Sequence, residues 1–101
     1  MILVIVRMEV LSEKRMELSQ TIASLIGSVR KEKGCLRCNF CQNTEDENEL
    51  YLLEEWDTQE NLVGHQKSER FRVLRGAMSL LKEPPEMMFH TVFSPEGIKE
   101  I

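Results

Sequence analysis

From Ile2 to Val10 every even position is apolar: Ile2, Val4, Val6, Met8 and Val10. The odd positions begin apolar with Leu3 and Ile5, then turn polar at Arg7 and Glu9. A period of two predicts a strand with one buried face and one mixed face. From Ser12 the period changes. Leu18, Ile22, Leu25 and Val29 recur at helical spacing, with Ile26 beside them. Ser12 is the expected cap of this helix, with Glu13 favourable in its first turn. Arg30, Lys31 and Lys33 suit the negative end of its dipole, and Gly34 is the expected terminator. Alternation returns over 35–42. Leu36, Cys38 and Phe40 share one face; Cys35, Arg37, Asn39 and Cys41 share the other. Asn43 to Asn48 reads as a polar loop, and a strand from Glu49 to about Asp57 completes a hairpin. Asp57 or Thr58 caps a short helix carrying His65, and Asp57 with Glu60 has capping-box spacing. Ser68 starts a further helix with Phe71, Leu74, Met78 and Leu81 inward, ended by Pro84 and Pro85. Met87 to Phe93 is the expected last strand.

The order β-α-β-β-α-β predicts an α+β, ferredoxin-like fold with an antiparallel four-stranded sheet. It spans one domain, residues 1–94, with a short tail over 95–101. Both helices of this plan pack on one sheet face. The opposite face is expected to carry Leu3, Ile5, Tyr51 or Leu52, Met88 or Phe89, and Trp56. That face is too apolar for water, so a second copy of the chain should cover it as a homodimer, sheet against sheet.

Composition narrows the partners. A 101-residue chain that is 42% hydrophobic is globular and large enough for one core. Its formal charge of −4 argues against nucleic acid. No apolar run approaches the roughly 20 residues of a membrane span. The N-terminus reads as a strand and not as a signal peptide. Three cysteines with no export signal suit a reducing cytoplasm.

The candidate chemistry lies at one strand–helix junction. Glu54, Glu55, Trp56 and Asp57 follow the apolar run Leu50–Leu53, and His65 comes nine residues after the tryptophan. Histidine exchanges protons near neutrality, so it can take a phenolic proton. An indole N–H can donate to the resulting anion, and its ring can stack on a planar substrate. A structural role competes with this one. Trp56 would pack between helix and sheet, and His65 would hydrogen-bond a carboxylate such as Glu54. Glu54 shares a strand face with Trp56 and, if buried, needs Arg7, Arg37 or His65 as partner. Cys35, Cys38 and Cys41 form C-x-x-C-x-x-C, which suggests a metal. An extended strand rules this out, because the outer two would be about 20 Å apart with Cys38 pointing away. Met78, Met87 and Met88 read as core filler, with a flexible pocket lining as the other use of Met78. His90 reads as a structural histidine. Lys67, Arg70, Arg72 and Arg75 read as a solvated helix face, with attraction of an anionic substrate as the other use.

Gly34-Cys35-Leu36 entering a strand, Glu54-x-Trp56, His65, Ser68 with Phe71, and Pro85 before a last strand together resemble the antibiotic biosynthesis monooxygenase-like family. The small quinol monooxygenase-like members are the most similar. The resemblance covers residues 2 to about 93. It implies a dimeric α+β barrel and a pocket between sheet and helices or near the barrel mouth. It also implies oxidation of a quinol or polycyclic phenol by O2 with no metal or flavin, His65 and Trp56 being catalytic. In polyketide-oxidising members an asparagine stands four residues before the strand tryptophan. Here Leu52 holds that position, and Asn39 on the neighbouring strand is the candidate replacement. The expected substrate-binding residues are Glu54, Leu52, Asn39, Arg7, Phe71 and Met78. The alternatives are a non-catalytic or stress-associated dimer that holds a small aromatic, and a haem-binding or haem-degrading protein. Haem degraders use a first-strand asparagine that is absent here.

Overall fold

The computed structural model describes residues 1–93; the predicted tail, 95–101, lies outside them. Four strands form one antiparallel sheet: β1 (Ile2–Glu9), β2 (Cys35–Asn43), β3 (Asp46–Trp56) and β4 (Glu86–Thr91), in the order β2-β3-β1-β4. Helices α1 (Arg15–Arg30), α2 (Gln59–Gln66) and α3 (Glu69–Ala77) cover one face. This is the ferredoxin-like plan, with the second crossover split into two short helices. Among the described residues no helix is long and apolar enough to cross a membrane.

Register decides which residues meet the helices. Val4 pairs with Glu54 on β3 and with Phe89 on β4, while Ile2 pairs with Trp56. Paired residues point to the same side. Val4, Val6, Met8, Leu50, Leu52, Glu54 and Trp56 therefore face the helices, and all are buried. They pack against Leu18, Ile22, Ile26 and Val29 of α1, Leu62 of α2 and Leu74 of α3. The outer face carries Leu3, Ile5, Tyr51, Leu53 and Met88. Trp56, expected on the outer face, is on the inner one and fully enclosed.

Three local expectations need correction. A register shift between Cys35 and Arg37 marks a bulge at Leu36. It turns Cys35 to the inner face with Cys38 and Phe40 and leaves Leu36 58% exposed. The polar stretch Asn43–Asn48 is mostly strand, and only Thr44 and Glu45 turn. Hydrogen bonds from Glu45 N–H to Asn43 Oδ1 and from Asn48 N–H to Asp46 Oδ1 brace the hairpin end. Ser12 caps no helix; it opens a 3-10 turn and its hydroxyl accepts from Asn48 Nδ2. Thr58 and Ser68, in contrast, accept from Asn61 N–H and Phe71 N–H and cap α2 and α3.

Gly34 ends the turn between α1 and β2 with φ +84°. Its carbonyl accepts from Asp57 N–H at 2.9 Å, which ties this turn to the end of β3. A Cβ at Gly34 would run into the side chains of Asp57 and Asn61. Left-handed φ alone costs an L residue roughly 1–2 kcal/mol. Gly34→Ala is therefore expected to lower the thermal midpoint by about 10 °C or more, measured by circular dichroism.

Candidate active site

The turn, β3 and α2 bring four side chains to one spot. Trp56 leaves the end of β3 on the inner face, and its indole Nε1–H donates to Glu54 Oε1 at 2.8 Å. The two residues are neighbours on that face because they are two apart on a strand. His65, on the inward side of α2, stacks on the indole with ring centroids 4.7 Å apart and planes at 27°. Phe71 of α3 meets the imidazole edge-on at 5.4 Å. Glu54 is 4% exposed and His65 3% exposed, so neither relies on bulk water.

The two imidazole nitrogens have different surroundings. Nδ1 is 2.9 Å from Glu32 Oε2. Arg70 Nε stands 3.1 Å from the same oxygen. An ionised Glu32 can only accept, so Nδ1 carries the proton and donates. In a neutral ring that tautomer leaves Nε2 without a proton. Nε2 is 3.7 Å from Glu54 Oε1 and makes no hydrogen bond. Beside it lies a cavity of about 20 Å³, lined by residues that include Ile22, Leu25, Cys38, Leu52, Arg70 and Leu74. That is room for about one water-sized group. One nitrogen is anchored and the other lies beside the cavity, an arrangement that can serve as a base. Glu32 and Glu54 lie on the two nitrogen sides of the ring.

The cysteines do not share this role. Burial pushes the Cys38 thiol up to about 12, and burial also raises Cys35. Both are neutral thiols at physiological pH and poor nucleophiles. Cys41 sits on the outer face opposite Tyr51. No group of three metal-binding side chains occurs among the described residues.

Of the residues singled out in the sequence, the fold brings together His65, Trp56, Glu54, Leu52 and Phe71. Asn39 and Arg7 point away: they pair in register with Leu53 and Tyr51 on the outer face. Arg7 binds Glu49 at 3.2 Å, and Arg37 binds Glu55 at 3.1 Å, so neither partners Glu54. Arg7 is held protonated far above its ordinary range, chiefly by its hydrogen bond to Glu49. Met78 packs at the core margin and does not line the cavity. His90 is exposed opposite Leu3 on the outer face. Glu32 was not among the expected residues, and Arg70, expected on a solvated helix face, stands at Glu32 and the cavity instead. Glu32 had a faint signal: an acid amid Lys31 and Lys33 at a helix C-terminus opposes the dipole there. Arg70 had another, four residues before the inward Leu74 and so on its side of the helix.

Residues 1–77 match the family model described as antibiotic biosynthesis monooxygenase. Among solved structures, a conserved protein from Methanosarcina mazei Go1 is 30% identical, with 88% of this chain and 89% of that one covered and a TM-score of 0.84. A Mycobacterium tuberculosis protein is 22% identical over 95% of this chain and 98% of its own, with a TM-score of 0.88. A Nitrosomonas europaea protein, provisionally named an antibiotic biosynthesis monooxygenase, is 18% identical over 93% of this chain and 100% of its own, with a TM-score of 0.87. No functionally curated protein matches the sequence.

Proposed function

Since this chain belongs to the antibiotic biosynthesis monooxygenase family, we propose that it oxidises a quinol or polycyclic phenol with O2, without metal or organic cofactor. The observation that carries this is the buried, unpartnered Nε2 of His65, facing a cavity walled by Leu52, Leu74 and α1. Deprotonating the phenol makes an electron-rich anion that can itself reduce O2. His65 takes that proton and, as imidazolium, returns it when hydroxide leaves as water. Glu32 holds the imidazole in the reactive tautomer. Trp56 acts through Glu54, fixing the carboxylate that flanks the charged ring. The balanced reaction joins one atom of O2 to a ring carbon and reduces the other to water: hydroquinone plus O2 gives hydroxyquinone plus water. With ¹⁸O2, the quinone product is expected to gain one labelled oxygen. A product labelled only from solvent water would defeat this assignment.

The small size of the cavity favours a second reading, a non-catalytic dimer that holds a small aromatic. Bound haem, the third alternative, would announce itself by a Soret band on titration.

The dimer is part of the proposal. Leu3, Ile5 and Leu53 are only half-buried in the single chain and Met88 is exposed. A second copy packed sheet against sheet would cover them. Light scattering at micromolar concentration is expected to give twice the 11.8 kDa chain mass. A mass of 11.8 kDa would remove the dimer. The three free thiols fit a cytoplasmic setting.

A further inference from the structure

A neutral His65 ring has one proton and two nitrogens, with a carboxylate on the side of each. Glu32 Oε2 lies 2.9 Å from Nδ1, and Glu54 Oε1 lies 3.7 Å from Nε2. Glu54 Oε1 already accepts from the Trp56 indole at 2.8 Å. The hydrogen bond made by one nitrogen decides which of the two keeps the proton. The tautomer therefore depends on where the Glu32 carboxylate stands. The backbone of Glu32 is fixed in the turn after α1: its N–H donates to the Val29 carbonyl at 3.0 Å, and its carbonyl accepts from Cys35 N–H at 3.1 Å. The side chain is not fixed by those bonds. It borders a surface cleft shared with Lys33, Asn61, Gly64 and Ser68, so it has room to swing away. Arg70 of α3 stands on the other side of the carboxylate from His65 in the pairing. Its Nε is 3.1 Å from Oε2, the same oxygen that meets Nδ1. Among the described residues, Arg70 is the cation besides His65 within ion-pair distance of Glu32.

We infer that Arg70 is a positioning residue: its guanidinium anchors the Glu32 carboxylate so that Oε2 meets Nδ1 and Nε2 is left without a proton. This rests on the reading of His65 as the base, and it names the residue that sets the base's reactive tautomer. Arg70 acts on the imidazole through Glu32. The contact is one of charge, because the Nε–H is not aligned on Oε2 and Nε makes no hydrogen bond. A guanidinium is never deprotonated, so the anchor holds at every working pH. Without it, Glu32 is free to turn into the cleft, and Nδ1 loses its fixed acceptor. The proton then moves to Nε2, which has the Glu54 carboxylate on its own side. That form of the ring has no lone pair on Nε2 to accept a phenolic proton. Arg70, on α3, and Glu32, in the α1–β2 turn, thus set the state of an imidazole carried by α2.

Long-range proton–nitrogen NMR of the ¹⁵N-labelled, full-length protein, at a pH where imidazole is neutral, reads the tautomer of each ring. The exposed His90 is the internal reference. In wild type, His65 is expected to be protonated on Nδ1 and bare on Nε2. In Arg70→Gln the ratio of that tautomer to the other should fall about tenfold or more, the scale of one hydrogen bond to a charged group. Arg70→Lys should keep most of the wild-type ratio, because an ammonium also anchors a carboxylate. Circular dichroism checks folding. A merely structural Arg70 would lower the thermal midpoint and leave the ratio unchanged. An unchanged ratio in folded Arg70→Gln, or a wild-type ring protonated on Nε2, overturns the assignment. Glu32→Ala removes the acceptor itself and should shift the ratio as far; a ring that stays protonated on Nδ1 in that variant overturns the assignment as well. Oxygen uptake on quinols judges the oxygenase reading separately. A tautomer shift without uptake by wild type upholds the role of Arg70 and removes that reading.

Discussion

Trp56→Ala is expected to bring the protein to the edge of unfolding. The side chain is fully enclosed, in contact with His65 and bonded to Glu54. Truncating a buried aromatic costs roughly 3–5 kcal/mol through lost contacts and the cavity left behind. Removing the indole N–H also strips Glu54 Oε1 of its donor, and a buried acceptor left unsatisfied costs about 1–3 kcal/mol. Together these come to roughly 4–8 kcal/mol, comparable with the whole stability of a domain of this size. Urea unfolding monitored by circular dichroism measures it. Trp56→Phe keeps most of the bulk and loses only the donor, so it should cost about 1–3 kcal/mol. The difference between the variants separates packing from the hydrogen bond. Equal, small losses in both would mean that Trp56 supports neither the core nor Glu54.

His65→Ala has the largest expected effect on activity. General-base catalysis contributes typically 10²–10⁴-fold, so turnover should fall by about that factor. The variant should remain folded. Glu32 keeps Arg70 as its ion-pair partner, and Glu54 keeps the Trp56 N–H. His65→Gln retains a polar group near Glu32 but cannot take a proton, so it should be as inactive as the alanine variant. A glutamine variant with near wild-type turnover would show that the imidazole only fills space.

The fold was largely legible because its signals are periodic. Strict alternation from Ile2 to Val10 gave the inner face of β1, and the helical recurrence of Leu18, Ile22 and Val29 gave α1. What failed was parity. Nothing in the local pattern of Leu50–Trp56 says which alternate set faces the helices, because Leu52 and Leu53 are both apolar and the inner set contains Glu54. Only the pairing of Val4 with Glu54 decides it, and that is a long-range contact. The same parity sent Asn39 and Arg7 to the outer face, away from His65. The Leu36 bulge hid Cys35's orientation, since one extra residue reverses every side chain beyond it. Trp56, Glu54 and His65 were recognisable as chemical candidates from the spacing of strand, cap and helix. Glu32 was not, because it reaches the imidazole from the α1–β2 turn, and Arg70 of α3 meets it there through an ion pair with Glu32. Their contact exists only once Gly34 turns the chain back against Asp57.

The most direct test is oxygen uptake by the metal-stripped, full-length protein with a panel of hydroquinones and anthrone-like phenols, beside His65→Ala. Uptake well above the autoxidation rate, lost in the variant, is the predicted result. Absence of uptake on every substrate by folded protein, or equal uptake by wild type and variant, would contradict a cofactor-free oxygenase built on His65.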